Sequence, residues 1–169
     1  CSWAGLAGCP TRGTRSDMRR FFAGLGYAAK GFWTAVKEER NLRFHLCAGA
    51  YVLLASLFYS FSAVEYALLF LCIGGVIALE LVNSAIERSV ESPDPAHWRA
   101  AARAKDMAAG AVLTFSIASA AVGLMLFWQP EVLRTIPGWF LAHPWALALL
   151  AASLAGAWFF VFWPERKKG

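Results

Sequence analysis

Four long stretches of this chain are almost free of charge, and they restrict its fold more than any other feature. Residues 46–64, "LCAGAYVLLASLFYSFSAV", carry no charged side chain, and residues 66–86 carry one, Glu80. Residues 107–130 and residues 145–163, "WALALLAASLAGAWFFVFW", carry none. About 20 apolar residues cross a bilayer core as a helix, and a helix satisfies its own backbone there. Helices of a soluble bundle would show a polar face, whereas these runs are apolar nearly all round. The chain is 59% hydrophobic and 16% charged, with mean hydropathy +0.49, on the apolar side of ordinary globular composition. The expected class is an all-α integral membrane protein with four transmembrane helices. The second helix is expected to extend past its apolar core to near Ser92.

Positive charge sets the expected orientation. Eight Lys/Arg precede the first run, none lies in the first loop, four lie in the second, one in the third and three in the tail. That alternation predicts both termini in the cytoplasm of a multi-pass cell-membrane protein. The net charge of +5 then faces anionic lipid. The basic residues flank spans rather than cluster on a domain, so no nucleic-acid partner is expected. Cys47 and Cys72 fall in the apolar runs, where cysteine serves as a small apolar residue. Residues 1–16, with Cys1 and Cys9, read as a flexible tail. A processed lipoprotein starting at Cys1 would put the basic flank on the wrong side. The segment Asp17–Glu39 is too charged to span, yet its apolar residues recur at three- and four-residue spacing. It reads as an interfacial amphipathic helix with Asp17 as N-cap. The domain reading is a tail at 1–16, a membrane core at 17–128, and an added loop, fourth span and basic tail at 129–169.

The polar residues of the second run then need a reason. In "ALELVNSAIERSVES" (78–92), Glu80, Asn83, Glu87 and Glu91 are spaced by three, four and four residues. They share one helix face, from membrane depth at Glu80 to the cytoplasmic edge at Glu87 and Glu91. A carboxylate at membrane depth is expensive and marks function by default; the competing reading is a polar seam between helices. Two further patches lie on the same predicted side. "KEERNLRFH" (37–45) brings Glu38, Glu39, Asn41 and His45, and "AKDMAAGAV" (104–112) brings Lys105 and Asp106. Carboxylates from two helices with a lysine are the parts of a Mg²⁺–nucleotide site, since Mg²⁺ prefers oxygen ligands with substrate phosphates and lysine binds phosphate as a point charge. No Cys/His set of the zinc kind is present.

"ERN" (39–41) with "FH" (44–45), "ELVNSAIE" (80–87) and "AKDMAAGAV" (104–112) together resemble the prokaryotic diacylglycerol kinase/undecaprenol kinase family of small membrane enzymes. The resemblance covers roughly Arg20 to Trp128, with the motifs in the family's order. It implies that Glu80 is the general base toward a lipid hydroxyl and that Asn83 helps orient the site. It also implies that Glu39 and Glu87 hold the divalent metal on ATP, and that Lys105 and Asp106 contact the nucleotide. Arg20 and Tyr27 match residues near the nucleotide. Glu91 stands where the family usually has an Asp that contacts the nucleotide, and keeps its charge; His97 matches only loosely. The family is a homotrimer with three spans per chain and active sites shared between subunits. The fourth run here lies beyond that pattern.

The residues and the resemblance imply one mechanism. A lipid alcohol stays in the bilayer with its hydroxyl near Glu80, and ATP with Mg²⁺ arrives from the cytoplasm. Undecaprenol is the preferred acceptor, because "ERN…FH" and "IGG…LELVNSAIE" look closer to the Gram-positive undecaprenol-kinase branch; diacylglycerol is the alternative. A proton-coupled carrier using Glu80, Glu87 and Asp106 as a relay is the rival of another class, but the chain shows neither an inverted repeat nor a broken helix. A non-catalytic scaffold does not explain the aligned carboxylates.

Overall fold

The computed structural model describes residues 14–90 and 97–164. Six helices follow one another: α1 (Thr14–Glu38), α2 (Arg40–Ser56), α3 (Ala63–Ser89), α4 (Trp98–Phe127), α5 (Pro130–Ala142) and α6 (Pro144–Phe162). No strand occurs among the described residues. The chain divides into a unit ending at Thr34 and a second running from Ala35 onward.

In the first unit, α1 is amphipathic as the spacing requires and leaves Phe21, Phe22, Leu25 and Trp33 exposed. Because α1 already begins at Thr14, Asp17 sits inside its first turn rather than at the cap. There its charge still faces the positive end of the helix dipole.

In the second unit, α3, α4 and α6 are each long and apolar enough to cross a membrane. The first expected span differs. α2 starts at Arg40, before the apolar run, and ends at Ser56, after 17 residues. That is the short end of the spanning range. The remainder of the run turns back. Ser62 opens α3 with a capping box: its Oγ accepts from Glu65 N–H at 3.4 Å, and its own N–H donates to the Glu65 carboxylate at 2.7 Å. The aromatic rings of Tyr59, Phe61 and Phe127 pack edge-on and stacked around this turn. Tyr59 Oη donates to the Phe127 carbonyl at 3.1 Å, joining the turn to the end of α4.

Small residues let the helices approach. A Cβ on Gly49 of α2 would lie 2.7 Å from Ile73 Cγ2 of α3, and one on Gly75 would run into the Phe115 ring of α4. Of the neighbouring glycines in α3, Gly75 makes a close helix contact and Gly74 faces open space. The stretch after residue 128, expected as a loop, is mostly helix. Pro130 occupies the first turn of α5, where its missing N–H costs nothing. His143 alone separates α5 from α6 and stacks on Trp139 with ring centroids 4.6 Å apart. α6 runs antiparallel beside α2. Arg40 lies over the Phe162 ring at one end, and Tyr51 Oη donates to Ser153 Oγ at 3.2 Å further along.

Candidate active site

The site is built where α1 breaks into α2 beside the C-terminal half of α3. Glu39 is the break: its backbone is extended (φ −110°, ψ 111°), between a helix ending at Glu38 and one starting at Arg40. Its N–H still donates to Ala35 O at 2.8 Å, and its carbonyl accepts from Arg43 N–H at 3.3 Å. The kink therefore turns the chain without leaving these backbone groups unpaired. Apolar packing fixes it underneath. Ala35, Val36 and Leu42 form a small core, closed by Leu46 with Ile77 and Leu81 of α3.

On α3, Glu80 is 3% exposed, Asn83 7% and Ser84 3%. The Glu80 carboxyl accepts a hydrogen bond from the Asn41 side chain and lies within electrostatic reach of Glu39 and Glu87. Asn83 Oδ1 is buried without a hydrogen-bond partner among the described residues. A buried acceptor left unpaired is costly and calls for a donor, such as an incoming hydroxyl. Glu87 is half-buried at the rim, with Lys105 Nζ of α4 3.7 Å from its carboxylate. Arg88 Nη2 lies 2.8 Å from Glu39 Oε1 and 3.2 Å from Glu38 Oε2.

Thus Glu39, Glu80, Glu87 and Lys105, four of the residues singled out by sequence, come together at one end of α2, α3 and α4, with Asn83 buried on the same α3 segment. Asp106 follows on α4 and is exposed. Arg20 and Tyr27 are exposed residues of α1 in the first unit. Glu91 lies outside the described residues. Arg88 is the participant that spacing missed, since one position after Glu87 puts it about 100° around the helix. Only the packing of the Ala35–Leu42 junction against α3 brings Glu38 and Glu39 to it.

Among the described residues no three His, Cys, Asp or Glu side chains converge as a metal-binding group. Glu39 and Glu87 are two hard oxygen donors, the number Mg²⁺ usually takes from protein when phosphate and water complete its shell. Each already attracts a cation. The donor set fits a hard divalent ion.

An all-helical membrane protein with a buried carboxylate near one end of its helices and paired acid and base around it has the parts for moving a phosphoryl group to a bilayer alcohol. The chain belongs to the prokaryotic diacylglycerol kinase family, whose sequence profile matches residues 26–127. An undecaprenol kinase of Bacillus subtilis (strain 168) is 40% identical over 113 residues, 67% of this chain and 92% of that protein. A diacylglycerol kinase of Synechocystis sp. is 37% identical over 105 residues, 62% of this chain and 60% of that protein. No solved structure matches. The protein is accordingly a multi-pass membrane lipid kinase, a phosphotransferase that uses a nucleotide and acts on an alcohol. The carrier reading falls with this, and α3 runs unbroken from Ala63 to Ser89.

Proposed function

We propose that the protein transfers the terminal phosphoryl group of ATP to undecaprenol in the cell membrane, giving undecaprenyl phosphate, with Mg²⁺ as the metal. The observation that carries the site reading is Glu80: buried, hydrogen-bonded by Asn41 and facing Glu39 and Glu87. Undecaprenol is favoured over diacylglycerol because the undecaprenol kinase relative is matched over 92% of its length and the diacylglycerol kinase relative over 60%. A mostly apolar cavity of about 640 Å³ runs between α2, α3 and α4, from His45 near the site to Trp128 at the far end. It suits a hydrocarbon chain whose hydroxyl stays near Glu80.

In this reading Glu80 takes the proton of the lipid hydroxyl as its oxygen bonds to the terminal phosphorus, and the bond from that phosphorus to the bridging oxygen breaks, releasing ADP. Asn83 orients the hydroxyl through its unpaired Oδ1. Glu39 and Glu87 would hold Mg²⁺, which when bound neutralises phosphate charge. Lys105 and Asp106 contact the nucleotide; Arg20, Tyr27 and Glu91 keep the nucleotide-binding role that the family resemblance implies. Positioning and charge neutralisation are most of what phosphoryl transfer requires, so few side chains suffice. The active form is a homotrimer with both termini in the cytoplasm. The test offers purified protein radiolabelled ATP, Mg²⁺, and undecaprenol or diacylglycerol in parallel. Label entering diacylglycerol faster overturns the substrate choice.

A further inference from the structure

Arg43 of α2 is 3% exposed, an unusual place for a charge that is not matched by a carboxylate. Its partners are carbonyls at the ends of two other helices. Nη1 donates to Lys37 O at 3.0 Å and Val36 O at 3.5 Å, in the last turn of α1. Nη2 donates to Trp163 O at 3.1 Å and Val161 O at 3.2 Å, where α6 ends. The final carbonyls of a helix lack intrahelical partners and carry its negative pole. One guanidinium therefore closes two helix C-termini at once, which its planar fork allows and a single ammonium does not.

The α1 carbonyls it holds immediately precede Glu38 and Glu39, and the backbone N–H of Arg43 itself donates to Glu39 O. The extended residue at the break is thus gripped on both sides. The other anchor, α6, lies outside the 26–127 stretch that the family profile matches. Its end is also held by Arg40 over Phe162.

We propose that Arg43 is a positioning residue through which the appended helix α6 steadies the α1–α2 break, and so aims the Glu39 carboxylate for metal and nucleotide. This rests on the reading of Glu39 as a metal ligand. If Arg43 only stabilised the fold, its replacement would lower the melting temperature or the folded fraction without changing how tightly folded molecules hold the ion.

The test uses the full chain in lipid nanodiscs. Mn²⁺ is titrated in the presence of a non-hydrolysable ATP analogue and followed by EPR, with the KM for the lipid measured separately. Partners that orient a metal ligand typically alter affinity by about 10–100-fold. Arg43→Gln should therefore raise the Mn²⁺ midpoint about tenfold and leave the lipid KM unchanged. Arg43→Lys keeps the charge but reaches one helix end, and should raise the midpoint by less. Phe162→Ala, which loosens the α6 end without touching Arg43, should move it in the same direction. If Arg43→Gln does not fold, the other two variants decide. Midpoints within twofold of wild type overturn the inference alone. A wild-type protein that takes up no Mn²⁺ with the nucleotide overturns the metal reading, and the inference with it.

Discussion

Replacing Glu80 by Gln tests the chemistry with the smallest change of shape. Glu80 and Glu87 are seven residues apart on one continuous helix, so they are separated by about 10 Å along its axis. That is too far for both to ligate one ion, yet suitable for one to meet the attacking hydroxyl and the other the metal. The glutamine amide keeps the side-chain volume, and its carbonyl can still accept from Asn41; only the basic oxygen is lost. Loss of a general base costs about 10²–10⁴-fold, or about 3–5 kcal/mol at 1.36 kcal/mol per tenfold. The fall belongs in kcat, while the affinity for Mg²⁺–ATP stays near wild type. Both are read on one preparation, turnover by radiolabel transfer and nucleotide affinity by equilibrium binding. A polar seam between helices predicts the reverse, because a neutral amide is easier to bury than a carboxylate. Turnover within a few-fold of wild type would refute the catalytic assignment, and lost nucleotide affinity would move Glu80 into the metal site.

Further outcomes follow from the same geometry. Glu39→Gln and Glu87→Gln should each lose most activity and recover part of it at raised Mg²⁺; wild-type rates at limiting Mg²⁺ would contradict the metal assignment. Gly75→Ala sets a methyl group against the Phe115 ring, and overpacking of this kind costs about 1–3 kcal/mol, to be seen as a lower melting temperature in detergent. A C-terminal reporter should be active in the cytoplasm; activity only on the outer side would contradict the inferred orientation.

Much of the candidate site was legible because its periodicity is local. The spacing of Glu80, Asn83 and Glu87 along one helix face depends on 3.6 residues per turn and on nothing distant. The apolar runs likewise announced membrane helices, since hydrocarbon demands length and lack of charge before it demands any packing. Reading the run 46–64 as one span failed for a physical reason. Apolarity does not show where a helix ends; the Ser62–Glu65 capping box and the Tyr59–Phe61–Phe127 cluster do, and they turn the chain at residues 57–62. The helix in α5, in a stretch expected as a loop, carries two prolines, one of which sits in the tolerated first turn.

What the sequence determined by itself is the class of protein, the order of its motifs and the polar face of α3. Only the tertiary structure decided which charges meet. Arg88 reaches Glu38 and Glu39 across 49 or 50 positions of chain, and Arg43 reaches Val161 and Trp163 across about 120. No repeat or spacing encodes such pairs. They exist because α1 breaks at Glu39 and α6 returns antiparallel along α2, so carbonyls and carboxylates from distant segments arrive at the same guanidinium groups.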